Sequence, residues 1–194
     1  MRVKRLDLCL CLLAVALAAA VAATPALARA KPDLLLEEGG SAVPRGAEVG
    51  FQIHFPEYEC YGGVSDLYGG AFLDHENPAK TIGLSHIGTT PGCSVAGGRV
   101  AGISLNADGD AKISFSAKHP LFLYYFLGAP CTLVFPTKLT GTYVVPALVE
   151  IKGQVTSTSG EGPACPPKRT YEFTVELFSP YLDLPLEASL TEAG

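Results

Sequence analysis

The stretch VAGISLNADGDAKISFS, residues 100–116, contains two short arms of alternating apolar residues on either side of a polar turn. Ile103 and Leu105 alternate on the first arm, and Ile113 and Phe115 alternate on the second. A period of two places such residues on one face of a strand, and a glycine-containing turn between two strands is typical of a hairpin. We therefore predict an antiparallel hairpin over this stretch.

Two longer strands show the same alternation, one over residues 47–55 and one over residues 170–177. Pro56 follows the first of them and is predicted to end it, because proline is rarely found inside a strand. The residues predicted to share a buried face in these two strands are Val49, Phe51, Ile53, Phe55, Tyr171, Phe173, Val175 and Leu177. Further predicted strands are 121–126, 131–135 and 143–155, and Pro146 interrupts the last of them.

Glycine and proline are too frequent for long helices. The chain contains 21 Gly and 15 Pro, and the glycine pairs at 62–63 and 69–70 are predicted to lie in turns. Short strands between such turns predict an all-β fold, either an antiparallel, immunoglobulin-like β-sandwich or a partly closed β-barrel. The chain has no Trp, so the Cys…Trp…Cys core of true immunoglobulin domains is absent. The sequence leaves the choice between sandwich and barrel open.

One predicted strand, residues 121–126, is apolar or aromatic at every position. Such a run is typical of a strand that is buried on both faces, and we favour that interpretation. The alternative is a strand that turns Phe122, Tyr124 and Phe126 outward as a platform for a ligand or a partner.

Residues 1–30 have the three parts of a secretory signal peptide. A start with three basic residues is followed by an uncharged apolar run over residues 8–23, and Ala28 and Ala30 each complete a small-x-small cleavage pattern. The apolar run is shorter than the roughly 20 residues that a membrane-spanning helix needs. We therefore predict cleavage after Ala28 or Ala30, and a secreted or extracytoplasmic chain with no stable membrane insertion after processing.

Removal of this leader changes the charge of the protein. Four of the 14 basic and one of the 19 acidic residues lie in the leader, which leaves ten basic and 18 acidic residues and a net charge near −8 in residues 31–194. An acidic surface disfavours nucleic acid and anionic membranes as partners. Residues 31–194 are long enough for one β-domain with a sizeable core, and no linker divides them.

Four cysteines follow the leader: Cys60, Cys93, Cys131 and Cys165. An even number in an exported chain predicts two disulfides, although four cysteines allow three connectivities. We favour Cys60–Cys93 and Cys131–Cys165, because each pair brackets a segment of similar length. These residues show no Cys-x-x-Cys spacing, which argues against a thiolate zinc site or a redox pair.

The turn at residues 106–110 has part of the spacing of a calcium loop, because Asn and Asp alternate in it. The positions at which an EF-hand needs Gly and Glu hold Ala111 and Ala117. Asn, Asp and Gly also tolerate the left-handed backbone of a hairpin turn. We therefore interpret these residues as a turn.

The histidines also lack a recognisable ligand spacing. His54, His75, His86 and His119 form no His-x-His or His-Glu-x-x-His motif, so a histidine metal site would have to be assembled in space. The chain contains neither a Gly-x-Ser-x-Gly nucleophile elbow nor a phosphate-binding or dinucleotide-binding loop. We predict no catalytic, cofactor-binding or metal-ligating residues, and no cofactor.

Two hypotheses about function remain. The first is an exported, non-catalytic binding or structural β-domain whose partner is a protein or a glycan. The second is a small exported hydrolase or metal-dependent enzyme, with a site assembled from dispersed His, Asp, Glu and Ser residues. They differ in one structural respect, namely whether histidines converge with a carboxylate in a pocket.

Overall fold

The computed structural model describes residues 31–60, 63–91, 96–126, 129–163, 165–166 and 168–191, so the predicted signal peptide lies outside the described residues. Within these ranges the fold is all-β, and no helix is long and apolar enough to cross a membrane. The strands are β1 (Leu34–Glu38), β2 (Ser41–Ala42), β3 (Glu48–Cys60), β4 (Gly63–Leu73), β5 (Thr81–Pro91), β6 (Ala96–Gly97), β7 (Val100–Asn106), β8 (Asp110–Phe115), β9 (Phe122–Phe126), β10 (Pro130–Val134), β11 (Lys138–Thr142), β12 (Ala147–Leu148), β13 (Glu150–Thr156), β14 (Ser159–Glu161), β15 (Thr170–Ser179), β16 (Leu184–Pro185) and β17 (Glu187–Leu190).

Eight of these strands form a closed antiparallel barrel. In the order β3, β4, β5, β7, β8, β11, β13, β15, each strand pairs with the next, which is an up-and-down arrangement. β15 also pairs with β3, where Ile53 lies opposite Val175 and Phe51 lies opposite Leu177. The sequence left a sandwich or a partly closed barrel open. The structure is a barrel, and this last pairing closes it.

Two smaller sheets are built from the segments between and beyond the barrel strands. One has the order β12, β17, β1, β2, and the other has the order β14, β10, β9, β6. Leu36 lies opposite Ala188 in the first, and Leu133 lies opposite Leu123 in the second; all four are buried. Both sheets therefore add apolar side chains to the same core as the barrel.

The two long alternating strands have the buried faces that the sequence predicts, since all eight residues proposed for them are buried. β3 does not end at Pro56, however. It continues to Cys60, and its register with β4 shifts between Phe55 and Glu59. An irregularity of this kind lets a strand continue past a proline, because the residue that cannot donate a hydrogen bond falls outside the regular ladder.

The hairpin over residues 100–116 forms as predicted, from β7 and β8. Asn106 holds its turn, because the Oδ1 atom accepts hydrogen bonds from the backbone N–H groups of Asp108 and Asp110, both at 3.0 Å. Gly109 has φ of +85°, in the left-handed region that glycine adopts without steric cost. The interpretation of this segment as a turn is confirmed.

Gly69 and Gly70 lie inside β4, so the prediction of a turn there is wrong. A Cβ atom on Gly69 would lie 2.5 Å from the ring of Phe51, so the missing side chain makes room for that ring. Glycine inside a strand marks such close approaches as well as turns. Gly63 begins the same strand, and Gly62 lies outside the described residues.

The aromatic strand β9 is buried on one face only, so the favoured interpretation of burial on both faces is wrong. Leu121, just before β9, and Leu123 are buried, whereas Phe122 and Tyr124 are exposed by 37% and 39%. β9 belongs to a small antiparallel sheet, and such sheets commonly turn one face to solvent. The side chain of Phe126 lies outside the described residues.

A disulfide joins Cys131 to Cys165, the pairing that the sequence favoured, with 2.00 Å between the two sulfur atoms. Cys131 is fully buried in β10, and Cys165 packs against the same core. The bond therefore ties the segment after β14 to the core. The side chain of Cys60 and all of Cys93 lie outside the described residues, so Cys60–Cys93 stays a prediction.

Candidate functional site

Four side chains on the outer face of the barrel form a row across four adjacent strands. Glu150 on β13 lies opposite Glu176 on β15. Gln52 on β3 comes next, opposite Glu176 on one side and opposite Tyr68 of β4 on the other. The chain neighbours of Gln52 and Glu176 are buried, so these two residues face outward. Side chains directly opposite each other on one face of a sheet lie within contact distance, so the row is one continuous surface.

This row lines a groove of about 650 Å³ on the outside of the barrel. The segment between β11 and β13 contributes one set of lining residues, and the end of β15 and the segment after it contribute another. The volume lies within the range of roughly 300–1,000 Å³ that is usual for ligand pockets. We call it the acidic groove. Its lining residues are Gln52, Tyr68, Val144, Ala147, Leu148, Val149, Glu150, Glu176, Leu177, Phe178, Asp183 and Pro185.

Three carboxylates give the acidic groove its charge: Glu150, Glu176 and Asp183. Lys152 Nζ lies 2.8 Å from Glu150 Oε2 and compensates one of them. Within the described ranges, Glu176 and Asp183 make no ion pair with a lysine or an arginine. Like charges directly opposite each other across a strand pair are unfavourable. Because Glu150 already pairs with Lys152, a bound cation would act mainly on Glu176 and Asp183.

Local backbone features hold the residues at the end of β15 in place. A Cβ atom on Gly50 would lie 2.3 Å from the ring of Phe178, so the ring rests directly on the backbone of β3. Asp183 has φ of 52°, a left-handed conformation that Asp tolerates better than most residues, and its N–H donates to the carbonyl of Ser179 at 2.9 Å. This turn leads into β16, where Pro185 lies opposite Phe178.

Exposed apolar side chains belong to the same two segments. Val144 and Leu148, exposed by 69% and 49%, line the groove. Tyr181, Leu182 and Leu184, exposed by 79%, 62% and 46%, belong to the segment that also contributes Asp183. Large apolar residues grouped at the surface in this way mark interaction sites more often than chance exposure.

The described histidines do not line the acidic groove. His54 alternates with inward residues on β3, His75 follows β4, and His119 lies in the turn before β9, while the side chain of His86 lies outside the described residues. Among the described side chains, no group of three His, Cys, Asp or Glu residues could hold a metal ion. This finding bears on the metal-dependent form of the second hypothesis and not on a hydrolase without a metal.

The sequence does not predict that the residues of the acidic groove form a site. It does predict that some of them face outward. Gln52 and Glu176 alternate with the predicted inward residues of two strands, so their outward orientation follows from the same pattern. Their juxtaposition depends on the register between β15 and β3, which joins distant parts of the chain. Neither strand alone contains that information.

Comparison with protein-family models, curated proteins and solved structures finds no match to this chain. No residue role is therefore transferred from another protein. The assignment of a function depends on the geometry and charge of the described residues.

Proposed function

We propose that this protein is an exported, non-catalytic binding domain and that the acidic groove is its ligand-binding site. The observation that carries the proposal is the row of Glu150, Glu176, Gln52 and Tyr68. It brings two carboxylates, an amide and a phenol into one groove, beside exposed apolar side chains. Ligand sites typically combine an apolar lining with a few convergent polar groups of this kind.

The packing inside the barrel supports a site on its outer wall. The rings of Phe51 and Phe173 occupy the space left by Gly69 and Gly153, where a Cβ atom would lie 2.5 Å and 2.6 Å from them. The interior of a small barrel is either filled by side chains or holds one small ligand. Around Phe51 and Phe173 the side chains fill the interior of the barrel. A ligand therefore has room on the outside of the barrel.

The charge of the acidic groove favours a cationic segment of a partner protein. Glu176 and Asp183 have no ion-pair partner among the described lysines and arginines, and Val144 and Leu148 offer apolar surface in the same groove. A lysine or arginine side chain suits both features, because its charged end follows an apolar stem. We therefore assign a segment with basic and apolar residues as the ligand.

Export to an extracytoplasmic compartment is part of this proposal. The leader predicted over residues 1–30 directs the chain out of the cytoplasm. The Cys131–Cys165 disulfide is compatible with that destination, because such bonds persist in oxidising compartments. The partner would then be another exported or surface protein.

Calorimetric titration of the purified secreted protein with a synthetic peptide of alternating Lys and Leu tests the proposal. We expect saturable binding that weakens at least about tenfold in a Glu176→Gln variant, because loss of a charge-assisted hydrogen bond costs about 1.5–3 kcal/mol. Glu172→Gln is the matched control. Glu172 is exposed on the same strand and face but does not line the groove, so this variant should bind the peptide as the wild type does.

Three outcomes would contradict the proposal. Equal weakening in the Glu172→Gln variant would indicate a general attraction of the basic peptide to an acidic surface. Preference for a neutral oligosaccharide such as chitohexaose, in a parallel titration, would assign the groove to a glycan. Release of reducing ends from that oligosaccharide would support the hydrolase alternative instead.

A further inference from the structure

A second groove, of about 500 Å³, carries the opposite charge. It is lined by β5, by the residues after β6 and by the residues that lead into β9. Three basic side chains, Arg99, Lys118 and His119, line it, and its described lining includes no carboxylate. We call it the basic groove.

Among the described residues, no carboxylate compensates the positive charge of Arg99 and Lys118 in the basic groove. Arg99 and Lys118 make no ion pair with a carboxylate in the part of the chain that the structure describes. In a chain whose residues 31–194 are strongly acidic, adjacent cations without carboxylate partners create a local field that attracts anions. By contrast, five other basic residues each pair with a carboxylate: Lys31, Arg45, Lys80, Lys152 and Arg169.

Backbone hydrogen bonds fix the relative positions of these basic residues. The Arg99 N–H donates to the carbonyl of His119 at 3.0 Å, and the Ser116 N–H donates to the carbonyl of Arg99 at 2.8 Å. The His119 N–H donates to the carbonyl of Ser116 at 3.0 Å, which closes a tight turn that contains Lys118. These bonds hold the backbones of the three basic residues in one arrangement, which lowers the entropic cost of binding an anion.

An aromatic ring lies beside these cations. Phe122 lines the basic groove, and a Cβ atom on Gly97 would lie 2.3 Å from its ring, so the ring rests directly on the β6 backbone. Phe122 as a whole residue is exposed by 37%. Across the groove, a Cβ atom on Gly88 would meet no atom within 4 Å, so open space remains there. The groove thus offers the apolar surface of Phe122 next to the positive charges of Arg99 and Lys118.

We infer that the basic groove binds a small acid in which a carboxylate is attached to a six-membered ring. Arg99, Lys118 and His119 bind the carboxylate, Arg99 with the fork geometry that suits it. Phe122 packs against the face of the ring. The net negative charge of residues 31–194 disfavours a long polyanion, which would have to approach acidic surface outside the groove.

Titrations of the isotope-labelled secreted protein, followed by its amide NMR signals, test this inference with four probes. Galacturonate and benzoate both carry a ring and a carboxylate. The one that binds more tightly shows whether the ring of the natural ligand is a sugar or an arene. Galactose lacks the carboxylate, and inorganic sulfate lacks the ring. We expect saturation by at least one of the two acids at millimolar concentration, and weaker binding of both galactose and sulfate.

Substitutions place the binding in the basic groove. Arg99→Gln and Lys118→Gln should each weaken binding of the acid about tenfold, because each removes a charge-assisted hydrogen bond. Gly88→Leu should block the groove without disturbing the fold, since a side chain there enters open space. Lys138→Gln is the control, because Lys138 is an exposed lysine of β11 that does not line the groove.

Thermal unfolding of each variant verifies that its fold is intact. Failure of both acids to saturate the protein would overturn the inference. If galacturonate and galactose bound with equal affinity, the carboxylate would not contribute to binding, and the inference would be wrong on that point. If sulfate bound as tightly as both acids, the ring would not contribute, and the inference would be wrong on that point. An equal loss in the Lys138→Gln variant would indicate general surface charge rather than a site.

Discussion

Gly153 and Phe173 lie directly opposite each other on β13 and β15, and a Cβ atom on Gly153 would lie 2.6 Å from the Phe173 ring. The same hypothetical atom would lie 2.6 Å from the backbone oxygen of Thr140. The ring therefore occupies space that only a glycine leaves free, with backbone on the other side. Such pairs of glycine and aromatic residue fill the barrel with its own side chains.

A Gly153→Ala substitution should therefore destabilise the protein. Because both the Phe173 ring and the Thr140 backbone are in the way, the added methyl group overpacks the interior at a cost of about 1–3 kcal/mol. Chemical denaturation measures the free energy of unfolding. Gly88→Ala is the control, since its Cβ atom meets nothing within 4 Å. A neutral Gly153→Ala variant would show that the interior is looser than described.

The disulfides provide a second prediction. A Cys131→Ser/Cys165→Ser variant should lose about 2–5 kcal/mol of stability, because the bond restricts the unfolded chain between residues 34 positions apart. Peptide mapping of the non-reduced protein should recover this link and also Cys60–Cys93. A fragment that joins Cys60 or Cys93 to Cys131 would contradict the pairing, and full reactivity of all four thiols in the folded protein would contradict the disulfides altogether.

We predict that Tyr143 makes the free energy of unfolding sensitive to alkaline pH. Burial of the phenol, and secondly the nearby Asp110 carboxylate, raise the pKa of Tyr143 above its ordinary value of 10.0. Its hydroxyl also donates to the carbonyl of Asn106 at 2.5 Å. A group whose pKa is raised on folding stabilises the fold fully below its unfolded pKa and loses that contribution as the pH rises towards the folded value.

The free energy of unfolding should accordingly fall as the pH rises above 10.0, and it should fall less steeply in a Tyr143→Phe variant. At neutral pH this variant should lose about 1 kcal/mol, the usual net contribution of one hydrogen bond. Urea denaturation over a series of pH values measures both quantities. Parallel pH profiles for the two proteins would show that Tyr143 is not the group responsible.

Processing of the leader gives a further prediction. Because Ala28 and Ala30 both complete cleavage patterns, the secreted protein should begin at Arg29 or Lys31. N-terminal sequencing of protein from the culture medium or cell envelope reads this residue directly. An intact Met1 on protein embedded in the membrane would contradict export with processing.

Strand faces could be predicted from the sequence wherever apolar residues alternate without interruption. In β3 and β15 the alternation runs through Phe51 and Phe173, and in the β7–β8 hairpin the turn chemistry of Asn106 and Gly109 marks the reversal. These signals are local, because a period of two and a turn are properties of a few neighbouring residues.

The alternation of apolar residues does not predict β4 and β5, and the reason is physical. Gly69 and Gly70 interrupt the apolar pattern of β4, and Gly83 and Gly88 interrupt that of β5, so both strands resemble loops in the sequence. Gly69 is tolerated in a strand because the ring of Phe51, from another strand, fills the space above it. Only the pairing of the strands in space reveals that compensation.

The two grooves depend on the same kind of distant pairing. Glu150, Glu176 and Gln52 meet because the barrel closes between β15 and β3, and Arg99 meets His119 through a backbone hydrogen bond. In the sequence, each of these five residues is a single polar residue at a position that faces solvent. Alternation predicts that such residues face outward, but it does not predict which of them become neighbours.

The most direct test of the central claim, that the acidic groove is the binding site, is chemical-shift mapping with the Lys/Leu peptide. The amide signals of Gln52, Tyr68 and Glu176 should move on addition of the peptide, because these residues line the groove on three adjacent strands. The signals of Arg99 and Lys118 should stay in place, since they line the basic groove. Shifts scattered over the acidic surface, with no concentration in the row, would contradict the account.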